Sequence, residues 1–177
     1  NLLRLTNSVG AGLRARITSV RHAITALGRN QLRRWLHLLI FRRGAELDFA
    51  RNPLLQLAAL RGRFMELLVD RLHAGDSRLR DPAFLTGLMS VVPAALHMSM
   101  TDVLAQIAVD HDVRLALSHK QGTLGTLLAL TESYDDNDID AVQALLAPFG
   151  SKAPMSMLGE ILAESLTWVQ ELGSEAS

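Results

Sequence analysis

A chain of 177 residues with 49% apolar but only 5% aromatic side chains is long enough for one hydrophobic core and suits packed helices better than sheet. It has no cysteine, which excludes a disulfide framework and thiolate chemistry and fits the cytoplasm. No run of about 18 uncharged apolar residues marks a membrane span, and no secretory signal pattern opens the chain.

The zero net charge hides a segregation. Residues 1–43 carry nine arginines and no acidic residue, leaving nine basic residues against all eighteen acids in 44–177. Such polarity can bind nucleic acid or an acidic partner. The simpler expectation is that the two ends of one domain face each other, or that acidic parts of a longer protein cover the basic face. The chain has no initiator methionine and begins inside an apolar helical block. It is therefore expected to be a fragment of a longer protein, truncated at its N-terminal side.

Residues 1–43 read as three short helical blocks. Leu2, Leu3 and Leu5 lead into Asn7-Ser8, and the chain turns at Gly10 and Gly12. A second helix starts near Thr18-Ser19, where a hydroxyl accepts from orphan N–H groups. It ends at Gly28, since glycine takes positive φ without steric cost. Asn30 caps a third block with Leu32, Trp35, Leu36, Leu39 and Ile40 on one face.

Asn52-Pro53 is an N-cap followed by proline at N1, predicting a helix to about His73. Its buried stripe is read as Leu54, Leu57, Ala58, Phe64, Leu67, Leu68 and Leu72. Gly62, costly in mid-helix, predicts a close helix contact. Asp81-Pro82 repeats the cap-then-proline signature, and Pro93 must kink or divide the helix that follows. Ser99 or Thr101 caps a short helix to about Ala108, and Asp110 or His111 begins the next. Gln121–Tyr134 forms one more, ending in the acidic loop from Asp135 to Asp138. The segments Asp138–Gly150 and Ala153–Leu172 complete an all-helical order. In the last, Leu158, Ile161, Leu162, Leu166 and Val169 should face inward and Glu160, Glu164 and Glu171 outward.

The stretch LLRLTNSVGAGLRARITSVRHAITALGRNQLRRWL carries Leu2, Leu3, Arg4, Asn7, Ser8, Leu13, Ile17, Ser19, Ala23, Leu27 and Gly28 in a characteristic order. It resembles the core of an HDOD domain, the HD-related output domain of bacterial signalling proteins. Gln31–Leu36, NPLLQLAALRGRFMELL and DPAFLTGLMSVVPAAL resemble the branch in which an EAL domain precedes it. The resemblance implies an all-α, HD-domain-like multi-helix bundle. It also implies a signalling module that has lost the metal ligands of HD phosphohydrolases.

The remaining residues give catalysis little to work with. Matching AFLTGLMSVVP to an HD-type run places Ser90 and Val91 where the ligand histidine and aspartate belong. The upstream histidine would fall near Leu57, and Glu132 or a neighbour stands where the last aspartate belongs. A serine, a valine, a leucine and one carboxylate do not make a catalytic ion site. The literal pair His111-Asp112 lies at a polar helix start, where acids favour the dipole, and adjacent residues diverge by about 100°. It is not expected to hold metal. His22 and His37 sit on short basic helices, His73 ends a helix where a cation helps its dipole, and His97 and His119 are isolated. GTLG at 122–125 lacks the lysine of a phosphate loop, and Ser8, Ser90 and Ser118 lack a base and orienter.

Two basic features remain. Arg33 and Arg34 rim a helix whose apolar face belongs to the core, and Arg14 and Arg16 follow Gly12 and could meet a phosphate or carboxylate. These four arginines are candidate interaction residues. The expectation is thus a non-enzymatic, cytoplasmic regulatory domain without cofactor, coupled to an adjacent EAL-type cyclic di-GMP domain or another protein partner. A homodimer is compatible with this; nucleic acid and membrane are not the expected partners. The alternatives are a metal-dependent HD-type phosphohydrolase and a nucleic-acid-binding module.

Overall fold

The computed structural model describes residues 52–174 apart from Ala108. The three helical blocks expected before them, with Arg14, Arg16, Arg33 and Arg34, lie outside the described residues. Among the described residues the fold is an all-helical bundle with no strand.

Helix α1, Pro53–Leu72, is the element the others surround. Asn52 Oδ1 accepts from the backbone N–H groups of Leu54 and Leu55 at 3.1 and 3.2 Å, and Pro53 fills the position whose N–H needs no helical partner. Along its second half every residue from Phe64 to Val69 is buried, so neighbours enclose α1 on all sides there. One stripe residue departs from the expectation. Leu54 is 37% exposed, and Leu55 takes its place in the core. In the first turn, helical spacing alone does not distinguish neighbouring leucines.

A 3₁₀ turn, Ser77–Leu79, runs directly into α2, Arg80–Ser90. Asp81 is therefore not the N-cap the sequence suggested. The helix starts two residues earlier than that cap implies, at Arg80, and Asp81 and Pro82 lie within its first turn, where the proline's missing N–H breaks no helical bond. Helices α1 and α2 run antiparallel and nearly touch. A Cβ at Gly62 would stand 3.1 Å from the Phe84 carbonyl oxygen, and one at Gly87 only 2.4 Å from that of Arg61. Pro93 divides the chain as expected: α2 ends at Ser90, and α3, Val92–Leu96, begins with the proline in its first turn.

Ser99 caps α4, Met100–Gln106, with its hydroxyl 3.1 Å from the Asp102 N–H. Helix α5, His111–His119, leads through Lys120 (φ 55°) into α6, Gly122–Asp135. Asp138 then caps α7, Ile139–Leu146, and a 3₁₀ segment, Ala147–Lys152, precedes α8, Met155–Ser174. Leu158, Ile161 and Val169 of α8 are buried, and Glu160, Glu164 and Glu171 are exposed, as expected. Leu166 is the exception at 44% exposure. Ser165 is buried in that turn instead, because its hydroxyl donates to the Ile161 carbonyl at 2.7 Å and so carries no unmet hydrogen bond into the core. No helix among the described residues is long and apolar enough to cross a membrane.

Candidate functional site

The positions at which the sequence suggested a degenerate metal site lie on α1, at the end of α2 and on α6, helices that pack on one another. Leu57 on α1 is half-buried against the core, and Val91, just past α2, is buried within it. Glu132 on α6 is engaged elsewhere. Its carboxylate accepts from Lys120 Nζ at 2.6 Å, tying the α5–α6 junction. The polar centre that joins the three helices is Arg61, one turn beyond Leu57. Its Nε donates to Asp135 Oδ2 at 2.8 Å and its Nη1 to Ser90 Oγ at 3.3 Å. The Ser90 hydroxyl in turn donates to the Gly87 carbonyl at 2.7 Å.

The local sequence explains this meeting. Glycines at 62 and 87 let the α1 and α2 backbones approach until Arg61 reaches the C-terminal turn of α2. Asp135, the last residue of α6, arrives from the other side. Side-chain exposures of 18% for Arg61 and 30% for Asp135 place the pair at the edge of the core rather than in open solvent. These residues do not fit a divalent ion. The serine hydroxyl already donates to one group and accepts from another, valine offers no ligand, and a fixed guanidinium sits on the Asp135 carboxylate and would repel a second cation. Among the described residues no three His, Asp or Glu side chains are grouped to hold a metal ion.

A second charged centre lies two residues further along α1. Glu66 is buried, yet Arg63 Nη1 donates to its Oε2 at 2.8 Å and Arg80 Nη2 lies 3.4 Å from its Oε1. Arg63 also reaches Glu164 of α8 at 3.1 Å, and Arg80 Nε lies 2.9 Å from Asp70. The Arg63 guanidinium carbon is 5.9 Å from the Trp168 ring centroid, and that ring meets Phe84 edge-on at 6.0 Å. This network fastens α8 and the start of α2 to the middle of α1.

His111 and Asp112 are both exposed in the first turn of α5, away from any such centre. His119 Nδ1 lies 2.6 Å from Ser118 Oγ, but both side chains are exposed and the hydroxyl donates to its own helix at the Arg114 carbonyl. His73 closes α1 and packs edge-on against Phe149, and His97 ends α3 with φ 50°. Sequence reasoning singled out neither Arg61 nor Glu66. The glycine beside Arg61 was a usable signal for the first; the second had none, because a glutamate on a helix reads as solvated until its neighbours are known.

The HDOD domain family model matches residues 1–112, more than half of the chain, and the chain belongs to that family. Over 173 residues it is 30% identical to the cyclic di-GMP phosphodiesterase CdgJ of Vibrio cholerae serotype O1, an alignment covering 97% of this chain and 38% of that protein. Over 176 residues it is 24% identical to the uncharacterized protein YuxH of Bacillus subtilis, covering 97% and 40%. The chain thus spans about two fifths of the length of the curated relatives it matches. No solved structure matches it significantly.

Proposed function

We propose that this HDOD domain is a non-catalytic regulatory module of a bacterial signalling protein. It would act by packing against an adjacent domain and biasing it between two states. The observation that carries the reading is the centre at α1, α2 and α6. Where the resemblance calls for ligands to a catalytic ion, the side chains are Leu57, Ser90, Val91 and Glu132; Ser90 accepts from Arg61, and Glu132 is paired with Lys120. A domain so built can still transmit a signal, because a bias requires only different contact free energies with the two states of its neighbour.

The neighbour is proposed to be an EAL-type domain that binds or hydrolyses cyclic di-GMP. Two things support this. The sequence resembles the EAL–HDOD branch, and one relative is named a cyclic di-GMP phosphodiesterase while this chain aligns with only 38% of it. In this reading the phosphodiester chemistry belongs to the remaining part of such a protein, and the HDOD domain sets its level. The candidate interaction residues Arg14, Arg16, Arg33 and Arg34 belong to the contact with that neighbour.

The test is cyclic di-GMP binding and hydrolysis by the full-length protein with and without residues 1–177. The expected outcome is a change in affinity or rate on removal, with neither activity in the 177-residue chain alone. Identical behaviour of the two forms would end the coupling reading, and hydrolysis by the isolated chain would end the non-catalytic one.

A further inference from the structure

Arg61 is placed unlike any other cation among the described residues. It contacts the ends of two other helices at once, reaching Ser90 in the last turn of α2 and Asp135 in the last turn of α6. Both contacts are made through side chains, the Ser90 hydroxyl and the Asp135 carboxylate, at helix ends whose partial negative charge attracts a cation. The Ser90 hydroxyl, donating to the Gly87 carbonyl, turns its oxygen toward the guanidinium. An aspartate and two helix C-termini thus converge on one positive charge that belongs to the chain itself.

We propose that the Arg61 guanidinium is a built-in cation that has taken over the cohesive role a divalent ion would have at the meeting of α1, α2 and α6. The inference rests on the non-catalytic reading and adds to it what holds the three helices together in place of a metal. A bound ion ties helices by neutralising carboxylates and orienting polar atoms from each. Arg61 does the same through two directed donors, with its stem anchored in α1. Gly87 is required for this, because any Cβ there would strike the Arg61 carbonyl and lift α2, and Ser90 with it, off α1. The arrangement needs no ion from solution, so the module is expected to keep its fold in the presence of chelators.

The experiment is thermal unfolding of the full chain with and without millimolar Mn²⁺ or Mg²⁺, alongside Arg61→Met, Asp135→Asn and their double variant. Methionine keeps much of the apolar stem and removes the charge. Arg61→Met is expected to lower Tm by about 3–6 °C for a chain of this size. Neither metal should restore it, and the double variant should lose less than the sum of the singles. The control is Arg78→Met, whose side chain is 90% exposed and, among the described residues, pairs with Asp76 alone; it should shift Tm by less than about 1 °C. If Arg61→Met behaves like that control, or if the two losses simply add, the built-in cation is refuted while the non-catalytic reading stands. If metal raises the Tm of the unaltered chain by several degrees, both fall together.

Discussion

Arg61 and Arg63 stand two residues apart on α1 and point to different neighbours, as a separation of about 200° around a helix requires. Arg61 meets a half-buried serine and a carboxylate that is 30% exposed, at the edge where α2 and α6 end. Arg63 meets Glu66, whose side chain is only 5% exposed, with Arg80 on the same carboxylate. The two centres therefore differ in what they protect. The Glu66 centre keeps a buried charge compensated, so its loss strands that charge in the core. The Arg61 centre aligns helix ends near water, so its loss costs less and bears on how three helices meet.

The largest effect should come from disturbing the Glu66 centre itself. The double variant Arg63→Met, Arg80→Met takes both guanidinium groups from the buried Glu66 carboxylate and is expected to cost about 3–5 kcal/mol; denaturant unfolding would show it as a lower midpoint at nearly constant slope. Arg63→Met should cost about 1.5–3 kcal/mol, because Arg80 still faces Glu66. A loss equal to that of the double variant would show that the two arginines act as one unit. Gly87→Ala tests the other centre through its backbone and is expected to cost about 1–3 kcal/mol, with weakened amide-exchange protection near Ser90 and Asp135.

The smallest effect belongs to a pair outside both centres. The hydrogen bond from Arg78 to Asp76 holds the Asp76 carboxyl below its ordinary value of 3.8. A lowered folded-state value stabilises the fold above the unfolded pKa, and that contribution is lost as pH falls through the folded one. Because the pair is solvent-exposed, Asp76→Asn should leave the acid-unfolding midpoint unchanged within error. A measurable shift would mean that exposed pairs matter here as much as the α1 centres do.

Much of the helical order was legible because its signals are local. Asn52-Pro53, Ser99 and Pro93 each act on backbone groups within one turn, so the residue type alone announces the boundary. Asp81-Pro82 misled because the preceding 3₁₀ turn had already started the helix, a choice made by the chain leaving α1. Leu54 and Leu166 misled for a different reason. Helical period assigns a face, but which edge of that face is covered depends on the neighbouring element.

A resemblance in the sequence pointed to the HDOD family; residue types and their spacing were enough for an all-helical domain and for the glycine that marks the α1–α2 contact. These follow from residue chemistry and from order within one helix. Which charges meet was settled by packing alone. Arg61 and Asp135 are 74 positions apart and Arg63 and Glu164 are 101 apart. Ion pairs between helices depend on packing distances of a few ångströms, and those are set by where glycines let backbones touch rather than by any pattern in the charges themselves.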